Sequence, residues 1–115
     1  MENLSEKTCI PCSGGVPPLD IVLKRKFKEH IHEEWKFTHN EKRLLRVVKF
    51  KDFAESMKYA NLIGELAEEQ WHHPELTVGF GHLDIEIWTH KIDNLVESDF
   101  IFASKVDLIL NEVNS

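Results

Sequence analysis

Apolar residues recur along this chain at two spacings, near four in some stretches and two in others, and the changeovers mark out its elements. Leu23, Phe27 and Ile31 follow at a spacing of four, predicting a first helix that starts near Asp20, whose carboxylate suits an N-cap. Lys24, Arg25, Lys28 and Glu29 then fall mostly on the wet side. Glu34-Trp35-Lys36-Phe37-Thr38 alternates polar with aromatic, His39-Asn40-Glu41-Lys42 reads as a turn, and Leu44 to Phe50 is β-branched and apolar, so this stretch predicts a hairpin. Helical spacing returns from Asp52 to about Trp71, with Phe53, Met57, Ala60, Gly64 and Ala67 on a core stripe that Leu62, Ile63 and Leu66 widen. Gly64 costs about 1 kcal/mol there relative to alanine, which suits a place where another element comes close.

Leu76, Val78 and Phe80 alternate with Thr77 and Gly79, Gly81 offers a tight turn, and Leu83, Ile85 and Ile87 alternate with Asp84, Glu86 and Trp88. This is a second hairpin, with Phe80 expected in the core. By the same alternation His82, Asp84, Glu86, Trp88 and His90 share the face opposite Leu83, Ile85 and Ile87. From about Glu97 to Val113 a last helix is apolar over far more than one stripe, and the excess suggests a subunit interface. The order helix, hairpin, helix, hairpin, helix predicts an α+β fold: a four-stranded, mostly antiparallel sheet with three helices packed on one face. Residues 1–18 read as an irregular segment, broken by Gly14-Gly15 and Pro17-Pro18, before a single domain at 19–115.

With 115 residues there is room for one core, and a formal net charge of −6 argues against nucleic acid as a partner, since phosphate binding needs a basic face. The one basic run, Lys24-Arg25-Lys26 with Lys28, reads as a solvated helix face. No apolar stretch approaches the ~20 residues of a membrane span and the N-terminus does not resemble a signal peptide, so a cytoplasmic protein without membrane contact is expected. Cys9 and Cys12 form a Cys-x-x-Cys pair, half of a structural zinc site; their loop-like surroundings favour an incidental pair over a metal or redox site.

Chemistry concentrates in Glu68-Glu69-Gln70-Trp71-His72-His73-Pro74, where a long helix ends at two adjacent imidazoles and a proline stops it. His90 closes the alternating run downstream, so a fold that brings strand end to helix end would gather three imidazoles, able to donate one proton and accept another. Three histidines could alternatively hold zinc. Neighbouring His72 and His73 diverge too readily to favour that, and no metal or cofactor is expected. His30, His32, His39 and His82 read as surface histidines.

The spacing resembles one family. Pterin-4a-carbinolamine dehydratases carry an acidic or polar residue, three residues, His, His or Asn, Pro, five residues, an aromatic, nine residues, His or Trp, and an Asp after a short gap; Glu68, His72, His73, Pro74, Phe80, His90 and Asp99 fill these positions. The resemblance extends from about Pro17 to Val113, and Cys9-x-x-Cys12 with Gly14-Gly15-Val16-Pro17-Pro18-Leu19 is similar to the N-terminal segment of some bacterial and plant members. The last helix departs from the pattern. It opens with Leu95-Val96 in place of Leu-Thr or Leu-Ser, so Asn94 or Ser98 is expected to cap it, with Asn94, in the place of a glycine, able to turn left-handed.

The resemblance implies dehydration of a 4a-hydroxytetrahydropterin to the quinonoid dihydropterin, recycling the cofactor of aromatic amino acid hydroxylases. It implies His72 and His90 as general acid and base in an open order, His73 placing the pterin and Glu68 supporting the imidazoles. Trp71 and Trp88 offer flat surfaces to the pterin ring, and Asp99 is expected to serve mainly the first turn of the last helix. The implied partners are a pterin substrate, further copies of the chain in a homodimer or homotetramer, and an aromatic amino acid hydroxylase. The contrasting expectation is a binding or regulatory module on the same fold.

Overall fold

A computed structural model describes residues 4–7, 9 and 17–111. Asp20 caps the first helix, α1 (Ile21–Lys28), its carboxylate accepting the Leu23 backbone N–H at 2.9 Å. The buried face of α1 differs from the expected one: Phe27 and, beyond the helix, Ile31 are buried, but Leu23 is 40% exposed and Lys24 only 6%. The helix stops at Lys28, so Phe27 shares its inward side with the residue three back rather than four. Lys24 is tolerated there because its ammonium donates to the Glu41 carbonyl at 2.9 Å and to Asn94 Oδ1 at 2.7 Å. Burial, only partly offset by Glu41, lowers its pKa.

The first hairpin pairs β1 (Lys36–Thr38) with β2 (Arg43–Lys49) through a turn in which His39, Asn40 and Glu41 all have positive φ. Next comes α2 (Phe53–Gln70), capped by the Asp52 carboxylate on the Glu55 N–H at 2.8 Å. Its buried stripe is Ser56, Tyr59, Ala60, Ile63 and Ala67; Ala60, Ile63 and Ala67 lie on the expected stripe, but at its start Ser56 and Tyr59 are inside while Phe53 and Met57 are 48% and 37% exposed. Ser56 can lie inside because its hydroxyl donates back to the Asp52 carbonyl, which apolarity alone does not reveal. No neighbour would lie within 4 Å of a Cβ at Gly64, so the expected close approach is not there.

The second hairpin joins β3 (Glu75–Gly79) to β4 (His82–Ile87) across Phe80-Gly81, with Gly81 at φ 80, where glycine avoids strain. Phe80 sits at the tip of this turn and is 77% exposed, contrary to the expected core position. The sheet order is β1-β2-β4-β3, and all three pairings are antiparallel. Leu44, Arg46 and Val48 of β2 and Leu83, Ile85 and Ile87 of β4 are buried under the helices, and the alternate residues point to the open face.

The last helix, α3 (Glu97–Leu110), starts at Val96 rather than with an Asn94 or Ser98 cap. Asp99 takes the capping role, one of its carboxylate oxygens accepting the Val96 N–H at 2.8 Å. Asn94 Oδ1 accepts the Leu95 N–H instead, and Asp93, not Asn94, is the left-handed residue. The apolar excess of α3 is taken up largely within the chain. Phe100, Ile101, Phe102, Ala103, Val106 and Leu110 are buried, and a 3-10 turn at Leu4–Glu6 lies against the helix with Leu4 only 2% exposed. Lys7 pairs with Glu97 at 2.7 Å and Lys105 donates to the Ser5 carbonyl at 2.8 Å, fastening that turn. Among the described residues no helix is long and apolar enough to cross a membrane.

Candidate active site

The end of α2 is shaped by Trp71, which adopts a left-handed conformation at φ 52. Its N–H and that of His72 both donate to the Ala67 carbonyl, closing the helix as glycine commonly does, at a steric cost of about 1–2 kcal/mol for a residue with a Cβ. The sharp turn sends successive side chains opposite ways: His72 is 8% exposed, whereas His73 stands at the surface. Pro74 follows and β3 begins at Glu75.

Each of these imidazoles meets a carboxylate. His72 Nε2 lies 2.7 Å from Asp99 Oδ1, and the ring is tilted against Phe102. The other oxygen of Asp99 accepts from Thr89 Oγ1 at 2.8 Å as well as from the Val96 N–H, so one buried carboxylate joins α2, the end of β4 and the start of α3. His73 Nε2 lies 2.6 Å from Glu68 Oε2 in an exposed pair, and its ring meets Trp71 edge-on.

The third imidazole comes from the loop after β4. Past Ile87 the alternation continues, with Trp88 half-buried on the open face, Thr89 buried and His90 exposed. A bridge between Thr89 and Asn94 closes the loop. His90 lies flat on Trp88, with ring centroids 4.2 Å apart and planes 11° apart. The Arg43 guanidinium is over the same indole at 4.0 Å.

Helix end and strand end thus meet in a groove of about 270 Å³ lined by Trp71, His72, His73, Trp88, Thr89, His90 and Lys91. All three histidines singled out in the sequence reach it, as do both tryptophans, and Glu68 touches it through His73. Phe80, though it fills a motif position, is not among the lining residues. Asp99 carries more than the helix-end role expected of it, since it also holds His72. Twenty-seven residues separate the two, and no local spacing announces the contact. Thr89 and Lys91 were not singled out; their only signal is being next to His90.

Among the described residues no three His, Cys, Asp or Glu side chains are grouped to hold a metal ion. Cys9 is buried close behind the site, its N–H donating to Gln70 Oε1 at 3.1 Å and its thiol to the Ser98 carbonyl. Burial pushes that thiol up to about 11. Cys12 lies outside the described residues, so the Cys-x-x-Cys pairing falls there too.

Residues 20–109 match the family model described as pterin 4 alpha carbinolamine dehydratase. A protein of Alkaliphilus metalliredigens, provisionally named a pterin-4-alpha-carbinolamine dehydratase, is 50% identical over 107 residues, covering 93% of this chain and 96% of its own. A Rickettsia bellii protein of the same provisional name is 48% identical, covering 95% and 96%. Among solved structures, a transcriptional coactivator/pterin dehydratase from Brucella melitensis superposes with a TM-score of 0.74 at 24% identity, over 81% of this chain and 98% of that one. A pterin dehydratase-like RuBisCO assembly factor of the alpha-carboxysome gives 0.58 at 22% identity, over 68% and 94%. At those identities the two structures speak to the fold.

Proposed function

The chain belongs to the pterin-4-alpha-carbinolamine dehydratase family, and from that premise we propose that it is a hydro-lyase converting a 4a-hydroxytetrahydropterin to the quinonoid dihydropterin. In this role it returns the pterin cofactor of an aromatic amino acid hydroxylase for reuse. The observation that carries the reading is the convergence of His72, His73 and His90 on one groove.

In the reaction the C4a–O bond breaks as its hydroxyl takes a proton and leaves as water, while the N5 lone pair forms the N5=C4a bond and N5 gives up its proton. One group must donate and another accept. We assign these tasks to His72 and His90, each worth about 10²–10⁴-fold. With Asp99 as a carboxylate, the His72 proton sits on Nε2, which leaves Nδ1 for exchange with the substrate. His73, steadied by Glu68, positions the pterin, with Trp88 and Trp71 along the groove walls. A volume near 270 Å³ suits the bicyclic head of a pterin, at the small end of ligand pockets.

We further read the protein as a cytoplasmic homodimer or homotetramer that works beside its hydroxylase. Phe53 and Met57, exposed one turn apart on α2, give self-association an apolar strip. Light scattering that finds a strict monomer at micromolar concentration removes the oligomer.

The deciding experiment is dehydration of synthetic 4a-hydroxytetrahydropterin, followed by absorbance, for wild type, His72→Ala and His90→Ala, each with and without a chelator. The expected result is acceleration by wild type that survives the chelator and is mostly lost in both folded variants. An inactive wild type, or variants with full activity, overturns the reading in favour of a binding module on the same fold.

A further inference from the structure

His72 and His73 are each oriented by a carboxylate, but among the described residues none pairs with His90: its contact is the face of Trp88, 4.2 Å away and nearly parallel. An imidazole on a surface loop, steered by stacking alone, is only as well placed as the ring it stacks on. That ring has a second neighbour. The Arg43 guanidinium stands 4.0 Å from the centroid of the same indole, and two groups at about that distance cannot share one face, so the indole lies between them.

Arg43 is itself tethered. Its Nη1 reaches Glu86 Oε1 and its Nη2 reaches Asp93 Oδ1, each at 3.4 Å. Glu86 belongs to β4, two residues before Trp88, and Asp93 lies three residues beyond His90 in the loop closed by the Thr89–Asn94 bridge. One cation from the neighbouring strand therefore grips the strand before the imidazole, the indole beneath it and the loop after it. We propose that Arg43 is a positioning residue for His90, acting through Trp88. Its kinetic consequence rests on the dehydratase reading; the ordering of His90 does not.

The geometry also says which side chains can do this. A guanidinium is flat, stacks on an indole and forks to two carboxylates at once; an ammonium is a compact charge that cannot do all three. Lysine at position 43 would keep the charge and lose the clamp.

The test combines two readouts on the full chain: histidine ring signals by NMR, with those of His90 assigned by their loss in His90→Gln, and steady-state dehydration of 4a-hydroxytetrahydropterin. In wild type the Trp88 ring current shifts the His90 ring protons upfield, and Trp88→Leu abolishes the shift. In Arg43→Gln those protons move toward their unstacked positions while the His72 signals hold. kcat falls about tenfold or more, since a misplacement of about 1 Å can cost about 10²-fold, and KM stays within about twofold. Arg43→Lys recovers little of either. The proposal is overturned if Arg43→Gln leaves the His90 signals in place, or if the His72 signals move just as far, which marks general loosening. If wild type proves inactive on the pterin while the NMR shifts behave as described, the dehydratase reading falls and the positioning of His90 by Arg43 stands.

Discussion

Nε2 of His72 and Oδ1 of Asp99 stand 2.7 Å apart with both side chains buried, so a proton of the candidate active site is held in a hydrogen bond that water does not contest. Because Asp99 also receives the Thr89 hydroxyl and the Val96 N–H, the group that orients His72 is the one that starts α3. On the proposed mechanism, stability and chemistry are joined at this carboxylate, and two substitutions separate them. Asp99→Asn keeps an oxygen for Val96 and Thr89 but turns an N–H toward His72, forcing the other tautomer. It should cost about 1 kcal/mol of stability and about 10²-fold or more in kcat. Asp99→Ala orphans three buried groups and should cost about 3–5 kcal/mol. Urea melts beside initial rates check both, and a wild-type rate for Asp99→Asn would refute the tautomer argument.

Glu68 presents the opposite case. It pairs with His73 at 2.6 Å, but both groups are well exposed, and such pairs contribute only about 0–1 kcal/mol. Glu68→Ala should leave the melting temperature nearly unchanged and raise KM several-fold through a less settled His73. A large drop in melting temperature with unchanged KM would show that Glu68 serves the fold and not the pterin.

The elements and their order were legible because hydrophobic spacing is a local property: both hairpins and the inward face of β4 follow from it, and the Asp20 cap follows from its residue type at a helix start; the Asp52 cap was not read from the sequence. The three histidines were legible for a different reason, since their spacing matches a known family. Faces were less so. Lys24 lies inside because Glu41 and Asn94 wait for its ammonium, and Ser56 because its hydroxyl turns back on Asp52; both depend on partners that apolarity does not encode. Least legible were contacts across the fold, such as Asp99 to His72 or Arg43 to Trp88, which join elements far apart in sequence.

Gly79 tests the second hairpin. It is paired across the strands with His82, and a Cβ added there would stand 2.1 Å from His82 Nε2. The imidazole is not free to swing away without loss, because its Nδ1 bonds Asp84 Oδ1 at 2.9 Å. Gly79→Ala should therefore destabilise by about 1 kcal/mol, and the cost should vanish when His82 is also alanine. A cost that persists in the His82→Ala background would mean the backbone, not the imidazole, demands glycine.

Cys9 gives stability a pH dependence on the alkaline side. Burial raises the folded-state thiol from 9.0 to about 11, Asp99 adding to the rise and Lys105 opposing it. The native state thus keeps a proton that the unfolded chain releases near pH 9. The contribution is fully present below that pH and is lost as pH climbs toward 11. Cys9→Ala should flatten the fall in stability over this window, measured by urea melts at pH 8, 9.5 and 11. Alkylation of Cys9 in the folded protein should be slow at pH 8, since the thiolate is the nucleophile. Fast alkylation at that pH, read from the Cys9 peptide by mass spectrometry, would contradict the buried, protonated thiol.

The far end of α3 carries a partly exposed carboxylate, Asp107, paired with a buried guanidinium, and its removal should be costlier than that of any surface pair. Asp107 accepts from Arg46 Nη1, from the Trp35 indole N–H at 2.8 Å and from the His32 N–H at 2.9 Å. Arg46 points into the helix-covered side of β2 and is 2% exposed, with Trp35 fully buried beside it. Asp107→Ala leaves that buried guanidinium with only the exposed Glu34 carboxylate, 3.8 Å from its Nε, and should destabilise by about 3 kcal/mol. Asp107→Asn keeps an acceptor but not the charge and should cost less, while Asp107→Leu with Arg46→Met, replacing the pair by apolar volume, should recover most of the loss. None of the three should move KM, because the cluster lies apart from the residues lining the groove. Urea melts read the first expectation, and a double variant as unstable as Asp107→Ala alone would show that the lost hydrogen bonds to Trp35 and His32, not the stranded charge, set the cost.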